Sequence, residues 1–260
     1  MAQVHCNFFS YSLGYPVDIE LILPSFTSCN MGDSHSHALP DKFPVLYLLH
    51  GYGNDYQAWL RYTSIQRYAE EHRIAVVTFS CHNKAYQNAP YGENFYDFLN
   101  RELPEFVENY FPVSAEADQR YIAGLSMGGY GALKATMTYP EKYSYCASLS
   151  GSLDITRKNR AYNLDEWRSI FGFDLQSADE LEGTKHDLFA LTTAQKQPPY
   201  IYMWCGTEDA LIDVNRDYDA HLTKLGIAHT FLTSTGNHTW KYWDKHLQNA
   251  LQYWKTNILK

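Results

Sequence analysis

Tyr121-Ile122-Ala123-Gly124-Leu125-Ser126-Met127-Gly128-Gly129-Tyr130-Gly131-Ala132 is the stretch that decides the fold. Its first three residues form an apolar, strand-prone run. From Ala132 through Leu133 to Met137 the apolar spacing is helical, and Pro140 ends it. Between strand and helix stands Gly-x-Ser-x-Gly. A serine on so sharp a turn is held in a strained backbone conformation, and small neighbours keep strand and helix from colliding. Gly124 and Gly128 are those neighbours, while Gly129, Gly131 and Ala132 let the helix lie close to a sheet. Ser126 is the candidate nucleophile.

Outward from this turn, strand-like runs alternate with amphipathic segments. The strand-like runs are Val17–Leu23, Val45–Leu49, Ile74–Phe79, Arg120–Gly124, Tyr143–Leu149, Tyr200–Cys205 and His229–Thr233. Several are apolar throughout, as strands covered by helices on both faces must be. The spacing predicts helices over Gln57–Glu71 and Phe95–Tyr110, the latter broken or kinked at Pro104. In the last helix, Trp240, Trp243, Leu247, Leu251, Trp254 and Ile258 recur at three- and four-residue steps and share one face. Such alternation implies an α/β fold with a mostly parallel central sheet and right-handed crossovers. The N-terminal run to about Leu23 is the candidate antiparallel edge strand.

Two stretches break the pattern. Ser25–Asp41 is polar and reads as a surface loop. Ser152–Pro198 is too long for a plain connection. It carries one helical signal near Asp165 and another at Ser177, with Glu180 at capping-box spacing. We read it as a small cap inserted after Tyr143–Leu149, over the sheet's carboxyl ends, within a single domain of 260 residues.

A serine needs a base, and the base needs an acid to hold it. In a fold with this kind of turn they follow in the order Ser, Asp or Glu, His. Tyr200–Cys205 runs into Gly206-Thr207-Glu208-Asp209, which places Asp209 at the sheet's carboxyl edge, with Glu208 and Asp213 as competitors. Of eleven histidines, His238 alone lies in a glycine-containing loop between the last strand and last helix. His246 falls inside that helix, and His221 and His229 flank an earlier connection. Oxyanion donors are expected from the backbone N–H of Met127 and from the loop His50-Gly51-Tyr52-Gly53, with Tyr52 favoured. His50, Gly51 and Gly53 are expected against the substrate.

The remaining features mostly exclude. A net charge of −8 disfavours nucleic acid and anionic membranes as partners. No apolar run approaches a membrane-spanning length, and no basic segment followed by an apolar run marks a secretory signal. The five cysteines are scattered, without metal or redox spacing, and read as reduced thiols of a cytoplasmic protein. Asp33, His35 and His37 could hold a metal, but their polar loop offers no rigid element, so no metal site is expected. No phosphate- or dinucleotide-binding glycine pattern is present, and no cofactor is expected. The high tyrosine count, 22, reads mainly as core.

At this point the sequence resembles the bacterial tributyrin esterases, in the esterase-D-like branch of the α/β-hydrolases. That branch also holds S-formylglutathione hydrolases, cinnamoyl and feruloyl esterases, and mycolyltransferases. The matching segments are Phe43-Pro44-Val45-Leu46-Tyr47-Leu48-Leu49-His50-Gly51, Glu102-Leu103-Pro104, Gly124 through Ala132, Cys205-Gly206-Thr207-Glu208-Asp209, and His238-Thr239-Trp240 with Trp243. The resemblance implies an α/β-hydrolase fold and assigns nucleophile, acid and base to Ser126, Asp209 and His238. It further implies hydrolysis of short-chain acyl esters, a small-molecule ester as ligand, and often a homo-oligomer. Cys81–Asn94 and the cap depart from the family pattern.

Overall fold

The structure is a computed structural model that describes residues 1–25, 41–156, 163–172, 174–195 and 198–257. Eight strands make one sheet: β1 (Ala2–Ser10), β2 (Tyr15–Leu23), β3 (Val45–Leu49), β4 (Ala75–Phe79), β5 (Arg120–Leu125), β6 (Tyr145–Leu149), β7 (Tyr200–Gly206) and β8 (His229–Ser234). Their order is β1-β2-β4-β3-β5-β6-β7-β8. From β4 to β8 every pairing is parallel; β1 and β2 form an antiparallel hairpin, and β2 also runs antiparallel to β4. The edge is therefore β1, one strand further out than expected. Its alternation of Val4, Cys6 and Phe8 with Gln3, His5 and Asn7 carries the strand period, and its even positions lean on the core.

Successive residues of the central strands enter opposite layers, as pleating demands. Val45, Tyr47, Leu49, Ile122, Cys146, Ile201 and Met203 pack on one face. Leu46, Leu48, Tyr121, Ala123, Tyr145, Ala147, Tyr202 and Trp204 pack on the other. The first face is covered mainly by α3 (Phe95–Asp97), α4 (Leu103–Tyr110), α5 (Met127–Thr138), α7 (Leu188–Ala194) and α8 (Ile212–Leu225). The second is covered by α1 (Ala58–Tyr62), α2 (Ile65–His72) and α9 (Trp240–Asn257), through Trp243, Leu247, Leu251 and Trp254. Ile258 lies outside the described residues.

Three local expectations are corrected. Gln57–Glu71 is two helices, α1 and α2. Thr63 Oγ1 donates to Trp59 O at 2.5 Å and accepts from Ile65 N at 3.1 Å, and Ser64 N donates to Asp244 of α9 at 3.0 Å. These local side-chain bonds replace the helical ones. At Pro104 the helix does not break. It widens into a π turn over Phe98–Glu102, with Leu103 N bonding Phe98 O. The Asn100 carbonyl, which a non-proline residue at 104 would serve, instead accepts from Lys142 Nζ at 2.8 Å. In the cap, Ser177 opens only a 3-10 turn, Ala178–Leu181, because its hydroxyl bonds Asp179 and caps no backbone N–H. The cap's helices are α6 (Leu164–Phe171), N-capped by Asn163, and α7, N-capped by Asp187.

Burial of the tyrosines follows expectation at Tyr47, Tyr86, Tyr121, Tyr130, Tyr143, Tyr202 and Tyr218. Four cysteines are free thiols among the described residues, Cys6, Cys81, Cys146 and Cys205. No described helix is long and apolar enough to cross a membrane.

Helix α5 also carries a buried lysine. Lys134 Nζ donates to Gln87 Oε1, lies 3.3 Å from His186 Nδ1 and sits 4.4 Å from the centre of the Tyr96 ring. Burial, helped by the Lys185 charge, pulls its ammonium from 10.5 down to about 7. The native state thus releases this proton more readily than the unfolded chain, so stability rises with pH between those two values. Lys134→Met should remove that rise. Urea unfolding of the native chain should gain on the variant by about 1 kcal/mol per pH unit from about pH 7.5 to about 9. Parallel stability curves would rule the ammonium out as the source.

Candidate active site

The sharp turn after β5 is built from backbone contacts that leave no room for a side chain. A Cβ on Gly124 would stand 2.3 Å from the carbonyl of Gly128, and one on Gly128 would stand 2.5 Å from Leu49 O. Between them Ser126 has φ 53 and ψ −117, a region that L-residues rarely adopt. The strain is held by three backbone bonds: Ser126 N to Leu149 O at 3.0 Å, and Tyr130 N and Ser152 N to Ser126 O at 3.2 and 3.0 Å. The hydroxyl is thereby lifted to the carboxyl end of the sheet.

His238, from the loop between β8 and α9, places Nε2 3.1 Å from Ser126 Oγ. Its Nδ1 lies 2.9 Å from Asp209 Oδ2 and 3.1 Å from Oδ1. A carboxylate can only accept here, so Nδ1 carries the proton and Nε2 is free to accept from the serine. The ring stands edge-on to Trp243, centres 4.8 Å apart, and the indole N–H of Trp243 bonds Ser150 Oγ at 3.1 Å. Asp209 is buried, and Leu211 N donates to its Oδ1 at 2.9 Å. Burial pushes the carboxyl up, but bonds from His238 and the Leu211 amide outweigh it and leave the pKa below the ordinary value.

The competing acids stand elsewhere. Glu208 Oε2 accepts from Gly236 N at 2.5 Å, and Glu208 N donates to Gly236 O at 2.9 Å. It ties the acid's loop to the histidine's loop. Asp213 is exposed on α8, 3.6 Å from Arg216. Asp33, His35 and His37 lie outside the described residues, and no metal-ligand cluster occurs among the described ones.

Ser126 opens into a cavity of about 200 Å³. Its walls include Met127 and Tyr130 of α5, Ile155, and Trp167 and Ile170 of α6, with Tyr52, Asn83 and Glu166 among its polar lining. The crossover between β6 and β7 thus roofs the serine. Sequence reasoning missed these walls, although Trp167 and Ile170, three residues apart on α6, carried a signal for them. Tyr52 is exposed, and its hydroxyl reaches across to Glu166 Oε1 at 2.8 Å.

Around Tyr52 the expected contacts are redistributed. His50 is buried and does not line the cavity. Its Nε2 accepts from Cys81 N at 3.0 Å and its Nδ1 faces Gly51 O at 2.8 Å. Burial pulls its pKa down to about 4, so the ring is neutral near neutrality. Gly51 packs on the serine turn, where an added Cβ would meet Leu125 Cδ1 at 2.4 Å. The Gly53 amide is taken by Asn83 Oδ1 at 2.8 Å. The amides of Tyr52 and Met127 are given to no acceptor among the described residues.

Known proteins agree with this architecture. The model of the Esterase family ("Putative esterase") matches residues 33–254. An acetyl esterase of Caldicellulosiruptor saccharolyticus is 32% identical over 97% of this chain and 98% of its own. Among solved structures, FphF, a fluorophosphonate-binding serine hydrolase of Staphylococcus aureus, superposes with a TM-score of 0.86 at 32% identity, covering 97% of each chain. FrmB of the same organism, described as an S-formylglutathione hydrolase, gives 0.83 at 31% identity, over 97% of this chain and 98% of its own. With its eight-stranded, mostly parallel sheet of the α/β-hydrolase fold, the chain belongs to the esterase family and is a carboxylic ester hydrolase.

Proposed function

We propose that the chain hydrolyses short-chain acyl esters, in the manner of the tributyrin esterases, with Ser126, His238 and Asp209 as its catalytic triad. The observation that carries this is the relay from Ser126 Oγ through His238 to Asp209, opening directly into a small apolar cavity. His238 takes the serine proton as Oγ attacks the ester carbonyl. The tetrahedral oxyanion is held by the Met127 and Tyr52 amides, and His238 then protonates the departing alcohol. Water, deprotonated by the same imidazole, attacks the acyl-enzyme and releases the acid. Asp209 holds the imidazole's orientation and stabilises its cation.

Cavity size supports the short acyl group. At about 200 Å³ it falls below the ~300–1,000 Å³ of pockets that enclose drug-sized ligands. A series of p-nitrophenyl esters tests this. With acetyl and butyryl esters kcat/KM should peak, and with the octanoyl ester it should fall at least about tenfold. A preference for feruloyl esters or for S-formylglutathione would move the chain to a sibling activity.

A further inference from the structure

Asn163-Leu164-Asp165-Glu166 opens α6 with a side-chain cap followed three residues later by a glutamate. Asn163 Oδ1 accepts from Asp165 N at 3.0 Å, which fixes the first turn. A glutamate at that distance from a cap commonly folds back onto the start of its own helix. Glu166 instead reaches the loop after β3, where its Oε1 accepts from the Tyr52 hydroxyl at 2.8 Å. Both residues line the cavity into which Ser126 opens, so the bond spans that cavity from the loop to the cap.

The bond lies on the solvent side. The apolar walls Met127, Tyr130, Ile155, Trp167 and Ile170 are buried, whereas Tyr52 is 57% exposed and Glu166 half-buried. The bond to Glu166 pushes the Tyr52 hydroxyl above its ordinary pKa, so the group keeps its proton and stays a donor. A second tie draws α6 the same way. Lys84 Nζ donates to Ser169 Oγ at 3.4 Å, and Ser169 Oγ donates to Glu166 O at 2.7 Å.

We propose that the Tyr52–Glu166 hydrogen bond sets the upper limit of acyl length: it closes the outer side of the cavity, and a longer chain enters only by breaking it. This rests on the reading of the cavity as the seat of a short acyl group. The two side-chain groups act on selectivity and take no part in bond making or breaking.

Three substitutions isolate the bond. Glu166→Ala deletes it, and so does Tyr52→Phe, which leaves the backbone amide in place. Glu166→Gln removes the charge but keeps an oxygen able to accept from Tyr52. In the two deleting variants the octanoyl-to-butyryl ratio of kcat/KM for p-nitrophenyl esters should rise about 3- to 10-fold. Glu166→Gln should stay within about twofold of the native ratio. The double variant, Tyr52→Phe with Glu166→Ala, should gain no more than either single one, because the same bond is lost in all three. Inhibition by octylboronic acid should strengthen relative to butylboronic acid in the same variants. A ratio taken within one variant cancels any general loss of folded enzyme.

An unchanged ratio in either deleting variant would overturn the proposal. So would a Glu166→Gln variant relaxed as far as Glu166→Ala, which would assign the limit to charge. A native enzyme that turns over octanoyl and butyryl esters equally well would instead remove the underlying reading of the cavity.

Discussion

Replacing Ser126 with alanine is expected to lower kcat for p-nitrophenyl acetate by about 10⁵–10⁶ and leave Tm within about 2 °C of the native value. The hydroxyl donates to His238 Nε2, its proposed general base, at 3.1 Å. What survives is the contribution of the oxyanion amides and the cavity, which act without a nucleophile. Folding is spared because the turn is fixed by backbone bonds from Leu149, Tyr130 and Ser152. Alanine meets the same strain as serine at φ 53. Steady-state kinetics beside a thermal melt measure both quantities, and an active, folded variant would refute the nucleophile.

Asp209→Asn is expected to cost about 10⁴ in kcat at neutral pH with KM little changed. The carboxylate accepts from His238 Nδ1 through both oxygens, at 2.9 and 3.1 Å. An asparagine there also retains the Leu211 amide as a donor to its carbonyl oxygen, which turns its own NH2 toward the imidazole. That favours the tautomer with hydrogen on Nε2, and a protonated Nε2 cannot accept from serine. Because bonding holds the Asp209 pKa below its ordinary value, the native carboxylate stays ionised throughout the neutral range. The native pH profile therefore shows no step from this group there. A loss smaller than about tenfold would transfer the acid's role to another residue.

The proposed triad residues were legible because each sits where a change of secondary-structure period meets a glycine or an acid: Ser126 between β5 and α5, Asp209 after β7, His238 before α9. Chain order did the rest. The parallel sheet was legible from runs such as Val45–Leu49 and Tyr145–Leu149, apolar on both faces. What escaped depended on partners distant in sequence. Nothing near Thr63 announces that Asp244, from the other end of the chain, will take the Ser64 amide. The π turn before Pro104 depends on Lys142 reaching the Asn100 carbonyl. His50 was placed against substrate from its neighbours in sequence, whereas its ring turns inward to Gly51 O and Cys81 N. The cavity walls Ile155, Trp167 and Ile170 come from a crossover that was expected over the sheet's carboxyl ends, but whose weak periodicity does not reveal which of its side chains face Ser126.

The roof over Ser126 comes from the crossover between β6 and β7, while the proposed nucleophile, acid and base are fixed by turns at the ends of β5, β7 and β8. In the proposed reading, part of the cavity wall thus lies on a segment separate from the residues that carry the chemistry. Drift in Ile155, Trp167 or Ile170 can redraw the range of acyl groups admitted without disturbing the geometry that cleaves them. A lineage built this way can explore new substrates by accumulating changes in one connection, each tolerated because the chemistry beneath it continues to run.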